Sequence, residues 1–239
     1  MIDALPEYIA QFAGYGDLRA PLWFVGMEEG GGRDVAELTK RVGAWVARGR
    51  RPLEDLASYH RAIGVPRYFD PPFPLQRTWG PLARALQAWR QGPTDVPTLR
   101  RVQATELGAP GGGGALLELL PLPAAGTSVW PYAALATELP ALADRGRYRA
   151  AYEPPRVRML RALIEEGAPQ AVLCYGLGYR DAWTALAGGP MVALTIEGRT
   201  CYVSNTAAPL FLAVPHPVAH GSTSRFWAAV GASVRARTV

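Results

Sequence analysis

The chain has 239 residues, nearly half of them apolar, which is enough for a sizeable core in one large domain or two small ones. No run approaches the ~18 uninterrupted apolar residues of a membrane helix, and the start Met1-Ile2-Asp3-Ala4 lacks a secretory pattern, so the expectation is a cytoplasmic protein with no membrane partner. The formal charge is +5, almost all of it from arginine because Lys40 is the only lysine; guanidinium matches phosphate oxygens in two-pronged fashion, which is compatible with a nucleic-acid partner.

The first apolar run, residues 22–26, reads as a buried strand. It runs into the turn Met27-Glu28-Glu29-Gly30-Gly31-Gly32. Residues 34–47 then carry Val35, Leu38, Val42, Trp45 and Val46 at helical spacing. His60 falls in a second helical stretch and reads as a surface or packing residue. Residues 66–74 are a proline-rich loop crowded by Tyr68, Phe69, Phe73 and Trp79, and a helix is expected over 79–89. After the glycine loop 111–114, residues 115–120 form a second apolar strand interrupted by Glu118.

Residues 155–166 predict a helix opened by Pro155 near its first turn. Residues 171–176 are a third apolar strand, followed by a helix over 179–186. Segments 192–196 and 200–203 flank Glu197-Gly198-Arg199 as a small hairpin. Residues 210–214 are the fourth apolar strand; it leads into His216-Pro217-Val218-Ala219-His220-Gly221 and a final helix over about 222–235, with one of Ser222, Thr223 and Ser224 as its cap. Strands that do not alternate and that take turns with helices predict an α/β layered sheet covered on both faces. No repeat and no composition break divides residues 1–239, so a single domain is expected. Cys174 and Cys201 read as buried thiols; no metal or cofactor is expected, since two thiols cannot hold a four-cysteine cluster.

In an open parallel sheet, ligands bind at the carboxyl ends of the strands. Glu28 from the first strand and His216 from the last therefore face one cleft, as carboxylate and hydrogen-bond donor. Glu29 points the other way along an extended chain and is expected to bond loop amides or face solvent. Glu118, inside an apolar strand, needs a partner or a ligand; an arginine salt bridge is the structural option. As an ionised acceptor it suits a base edge that carries an exocyclic amine.

Together, Gly26-Met27-Glu28-Glu29-Gly30, His216-Pro217-Val218-Ala219-His220, the run around Glu118 and the glycine-ended third strand resemble the uracil-DNA glycosylase superfamily over roughly residues 21–227. The resemblance implies an α/β fold, a three-layer α/β/α sandwich around a central four-stranded parallel sheet. It implies an enzyme that flips a damaged or modified base out of DNA and hydrolyses its N-glycosidic bond in base excision repair, with uracil not required as the substrate. Glu28 and His216 take the catalytic places. Met27, Glu118, Phe69 and Phe73 take the base-binding places, with Phe69 or Phe73 stacking on the base. Gly30, Gly31, His220, Ser222 and Arg225 take the DNA-binding places, on a monomer. The chain departs from the family at Glu28, Glu29, Glu118 and His220. The departures at Glu28, Glu29 and Glu118 keep open an inactive nucleic-acid- or nucleotide-binding member of the same fold; a further alternative is an enzyme acting on free nucleosides or another small molecule.

Overall fold

The computed structural model describes residues 2–126, 128–204 and 209–238. Its strands are β1 (Gly14–Tyr15), β2 (Leu22–Gly30), β3 (Leu53–Glu54), β4 (Gly114–Ala124), β5 (Ala171–Tyr175), β6 (Met191–Ile196), β7 (Arg199–Ser204) and β8 (Leu210–Val214). Among the described residues they join into one eight-stranded sheet in the order β3-β1-β4-β2-β5-β8-β7-β6. The four apolar runs are adjacent and mutually parallel, β4 on β2, β2 on β5 and β5 on β8. The expected four-stranded parallel sheet is thus only the middle of a larger, mixed one. β1 adds antiparallel to β4, and the 191–204 hairpin adds through β7 antiparallel to β8. The two-residue strands β1 and β3 carry no apolar run by which the sequence would announce them.

The helices are α1 (Leu5–Gln11), α2 (Val35–Ala47), α3 (Leu56–Ala62), α4 (Trp79–Arg90), α5 (Val96–Thr105), α6 (Arg145–Gly167), α7 (Arg180–Ala187) and α8 (Ser224–Thr238). They gather in groups: α6 packs with α1 and α7, while α4 packs with α5 and α8. β2 separates the two groups. Gly167 at the end of α6 abuts Trp23, whereas Leu86 of α4 and Phe24 both approach Gly114. Neighbouring strand residues point to opposite faces, so Trp23 and Phe24 anchor different helical groups. β2, β4, β5 and β8 are buried almost throughout, in keeping with strands that read as continuous apolar runs.

Two helix starts differ from expectation. α6 begins ten residues before Pro155, where the Asp144 carboxylate accepts from the Arg147 N–H at 2.8 Å. Pro154 and Pro155 lie inside the helix and remove two backbone donors. The carbonyls left open, those of Ala150 and Ala151, belong to exposed residues where solvent reaches them. α8 starts at Ser224 rather than at residue 222, and its cap is Thr223, whose Oγ1 accepts from the Phe226 N–H at 3.1 Å. No helix among the described residues is long and apolar enough to cross a membrane.

Candidate functional site

The carboxyl ends of the parallel strands open into a cavity of about 650 Å³. Met27, Glu28, Glu29 and Gly30 of β2 line it, with Glu118 of β4, Tyr175 of β5 and His216 after β8. Glu28 and His216, from opposite ends of the chain, therefore share one cavity, and Met27, Gly30 and Gly31 stand on its wall. Gly26 makes this possible: a Cβ there would strike both Glu118 Oε2 and the Tyr175 hydroxyl.

Glu28 is fixed by two groups. Arg145 at the start of α6 donates to its Oε2, and the Tyr179 hydroxyl donates to Oε1 at 3.3 Å. Arg145 is itself held, donating to the carbonyls of Gly126 at 3.0 Å and Val129 at 2.8 Å and lying over the Trp130 ring at 5.1 Å. These two contacts limit its rotation. Neither Arg145 nor Tyr179 stood out in the sequence, because each reaches Glu28 only through tertiary packing.

Glu29 overturns its expectation. It neither bonds loop amides nor faces solvent; it is buried in a polar cluster. Arg41 of α2 pairs with it at 2.7 Å, the Tyr15 hydroxyl of β1 donates at 2.7 Å, and His60 Nε2 lies 3.4 Å away. Burial alone raises a carboxyl pKa, but Arg41, His60 and Tyr15 outweigh it and hold Glu29 at about 2. His60 is buried too, and its Nδ1 lies 2.8 Å from the Leu56 carbonyl, so both ring nitrogens face oxygens. His60 is thus a packing residue, and the surface alternative is discarded.

Glu118 is also fully enclosed, yet no arginine pairs with its carboxylate among the described residues. Arg156 donates instead to the main-chain carbonyls of Glu118 at 2.8 Å and Leu119 at 2.9 Å. The expected salt bridge is therefore absent among these groups. Glu118 Oε2 has no hydrogen-bond partner there, and it shares with the Tyr175 hydroxyl the space that a Cβ on Gly26 would take. Burial, then the charges of Glu29 and Glu28, push the Glu118 pKa well above the ordinary carboxyl value.

His216 is half-buried, with its ring 5.6 Å from that of Tyr175. Its Nδ1 accepts from the Val218 N–H at 3.3 Å, and burial lowers its pKa from 6.5. The neutral ring with Nδ1 as acceptor carries its hydrogen on Nε2, available as a donor.

The two residues expected to stack on a base, Phe69 and Phe73, are not on the cavity wall. Phe69 is buried against His60 and Trp79, at centroid distances of 5.5 and 5.4 Å, and does not line the cavity. Phe73 does not line it either. The aromatic wall is instead Tyr68 and Trp79, whose rings meet edge-on at 5.6 Å.

The glycine turn also differs from a phosphate grip. The main-chain N–H groups of Gly32 and Arg33 already donate to the Glu37 carboxylate, so the anion at this helix start is the chain's own. Gly30 and Gly31 line the cavity without offering that pair of amides. The remaining residues expected to contact DNA lie apart from the cavity. Ser222 Oγ accepts from Trp227 Nε1 at 2.7 Å, Arg225 pairs with Glu197 at 2.6 Å, and His220 is exposed with its carbonyl taking a 2.8 Å bond from Arg199. Ser222 lines a neighbouring cavity of about 380 Å³ with Arg77 and Arg84. Exposed arginines at the main cavity, Arg33 and Arg67, went unremarked in the sequence.

Cys174 and Cys201 are buried free thiols. Among the described residues no group of three or more histidine, cysteine, aspartate or glutamate side chains is placed to hold a metal ion. No family model, curated protein or solved structure matches the chain.

Proposed function

We propose that the chain hydrolyses the N-glycosidic bond of a damaged or modified base in DNA, on a three-layer α/β/α fold of the uracil-DNA glycosylase type. The observation that carries this reading is the shared cavity: a fixed carboxylate, Glu28, and a neutral imidazole donor, His216, on the rims of β2 and β8. Its volume of about 650 Å³ leaves room for a base with part of its sugar.

In this reading the Glu28 carboxylate orients a water against C1′ and stabilises the positive charge that builds on the sugar. The water oxygen bonds to C1′ as the C1′–N bond breaks, and the bonding pair leaves with the base. His216 Nε2–H donates to the oxygen on which the leaving base gathers charge. The proton lost by the attacking water passes to Glu28 and on to solvent or the base nitrogen. Tyr68 and Trp79 offer the stacking surface, and Arg33 and Arg67 at the mouth suit the flanking phosphates.

A second reading has one specific support. Arg145 already neutralises Glu28, as in a binding module that kept the pocket and lost the chemistry. Incubation with oligonucleotides carrying a broad panel of altered bases, followed by alkaline cleavage at abasic sites, separates the two. Release of any base supports hydrolysis. Salt-dependent binding without release supports the binding module, and the absence of both release and binding overturns the nucleic-acid reading.

A further inference from the structure

The two ends of the sheet are unlike. At one end β3 is two residues long, and its Glu54 is held by Arg48 at 2.8 Å. At the other, among the described residues, β6 runs for six residues in unbroken register with β7. It contains no charged residue and no proline, the devices by which sheet edges are normally blunted. Val192 points to one face of the sheet and Ala193 and Thr195 to the other, and all three are exposed, so neither face of this strand is roofed over. We propose that β6 is an interaction edge whose partner is the β6 of a second copy of this chain, joined antiparallel about a two-fold axis at Ala193 into one continuous sheet. This pairing replaces the monomer that the resemblance implies, and it stands apart from the reading of the cavity.

The hairpin fixes which backbone groups are free. Glu197 and Gly198, at φ 46° and 71°, form a two-residue turn, so Ile196 and Arg199 on either side of it exchange both hydrogen bonds. The ladder alternates from there: Leu194 bonds with Cys201 and Val192 with Val203, while the N–H and C=O of Met191, Ala193 and Thr195 point away from β7. Only one antiparallel register sets all three against all three of a second copy, with Ala193 opposite Ala193 and Met191 opposite Thr195. That register places Val192, 44% exposed, across from Leu194 at the closer, non-hydrogen-bonded spacing, apolar against apolar. It opposes no like charges. Glu197 falls opposite Gly189, which has open space where a side chain would be, and Glu197 is already paired with Arg225 at 2.6 Å. This self-complementarity about Ala193 favours a copy of the chain over a foreign strand. Each copy offers one such edge, and the opposite edge is short and charged, so the assembly closes at two copies.

A single strand pairing buries little surface and is expected to be weak, so sedimentation equilibrium of the full chain from micromolar to near-millimolar concentration is the measurement. The expected result is a monomer–dimer equilibrium in the wild type. Ala193 is exposed and sits on the two-fold axis, where a substituted side chain meets itself. Ala193→Lys and Ala193→Glu should each weaken the dimer about fivefold, and an equimolar mixture of the two should restore it as a heterodimer. Hydrogen exchange reads the register directly. The N–H groups of Met191, Ala193 and Thr195 should slow as the wild-type concentration rises, while those of Val192, Leu194 and Ile196, bonded within the hairpin, should be slow throughout. The proposal is overturned by a wild type that stays monomeric, which would leave the edge to a foreign strand, by a dimer equally strong in both charge variants, or by a mixture that associates no better than either variant alone. Thermal melts confirm that each variant is folded; if neither is, the concentration dependence of exchange in the wild type decides alone. No nucleic acid enters the experiment, so its failure and failure of the glycosylase assay are separate results.

Discussion

Glu29 of β2 and Arg41 of α2 form an ion pair of 2.7 Å with both side chains almost wholly removed from solvent. The pair joins the floor of the cavity to the helix that follows it. Removing one member of such a pair leaves a bare buried charge, which typically costs about 3–5 kcal/mol. Arg41→Met should therefore lower the urea midpoint steeply, and the double variant Arg41→Met/Glu29→Leu should recover part of the loss. A single variant as stable as the wild type would mean that the pair contributes nothing.

The same pair sets an acid limit. Folding lowers the Glu29 pKa from 4.5 to about 2. The stabilisation is therefore complete above about pH 4.5 and is lost as pH falls towards 2, because the unfolded chain takes up the proton first. Urea midpoints measured between pH 6 and 3 should fall less steeply below pH 4.5 in Glu29→Gln than in the wild type.

Much of this frame was legible in the sequence. The four parallel strands announce themselves because strands covered on both faces are continuous apolar runs, and 210–214 is matched to the residue. The hairpin was legible from Glu197-Gly198-Arg199, where both Glu197 and Gly198 take positive φ. The start of α6 was not, because Pro155 imitates a first-turn proline while the true cap, Asp144, precedes a polar stretch without periodicity. Strand alternation predicts that Glu28 and Glu29 point to opposite faces, yet both line the cavity, where β2 loses its regular register between Glu28 and Gly30. The partners of Glu29 were not legible, since Arg41, His60 and Tyr15 come from three different elements. The aromatic wall was misassigned within a dense cluster: composition marks such a loop as aromatic, and only packing shows that Phe69 faces inward while Tyr68 and Trp79 face the cavity.

That reassignment is testable. Base stacking on an aromatic ring contributes about 1–3 kcal/mol. Tyr68→Leu should weaken binding of an oligonucleotide carrying an altered base on an uncleavable sugar by about five- to a hundredfold, read by fluorescence anisotropy at fixed salt. Phe73→Leu should leave the affinity unchanged. The reverse pattern would return the stacking role to Phe73.

Glu28→Gln keeps the shape of the side chain and its contacts with Arg145 and Tyr179 in altered form, but removes the charge. If Glu28 stabilises the positive sugar, single-turnover base release should fall by about 10²–10³-fold. Substrate affinity should move little, while the melting midpoint should fall because Arg145 is left without its charge partner. An equal fall in affinity and rate would assign Glu28 to binding rather than to the reacting centre.

His216 offers the sharpest test of protonation. Burial lowers its pKa below 6.5, so the folded state resists the proton that the unfolded chain accepts. The sign follows: stability is at its full value above about pH 6.5 and declines as pH falls below it, until the folded ring also protonates. The wild type should thus lose stability relative to His216→Leu between pH 7 and 5, with no difference in slope between pH 7 and 8. His216→Leu should also lose about 10²–10³-fold in base release at pH 7.5 through loss of the Nε2–H donor, while His216→Asn, which keeps an N–H donor, should retain more of the rate. A wild type that gains stability relative to His216→Leu on acidification would mean a ring charged in the folded state, and the neutral donor would then have to be abandoned.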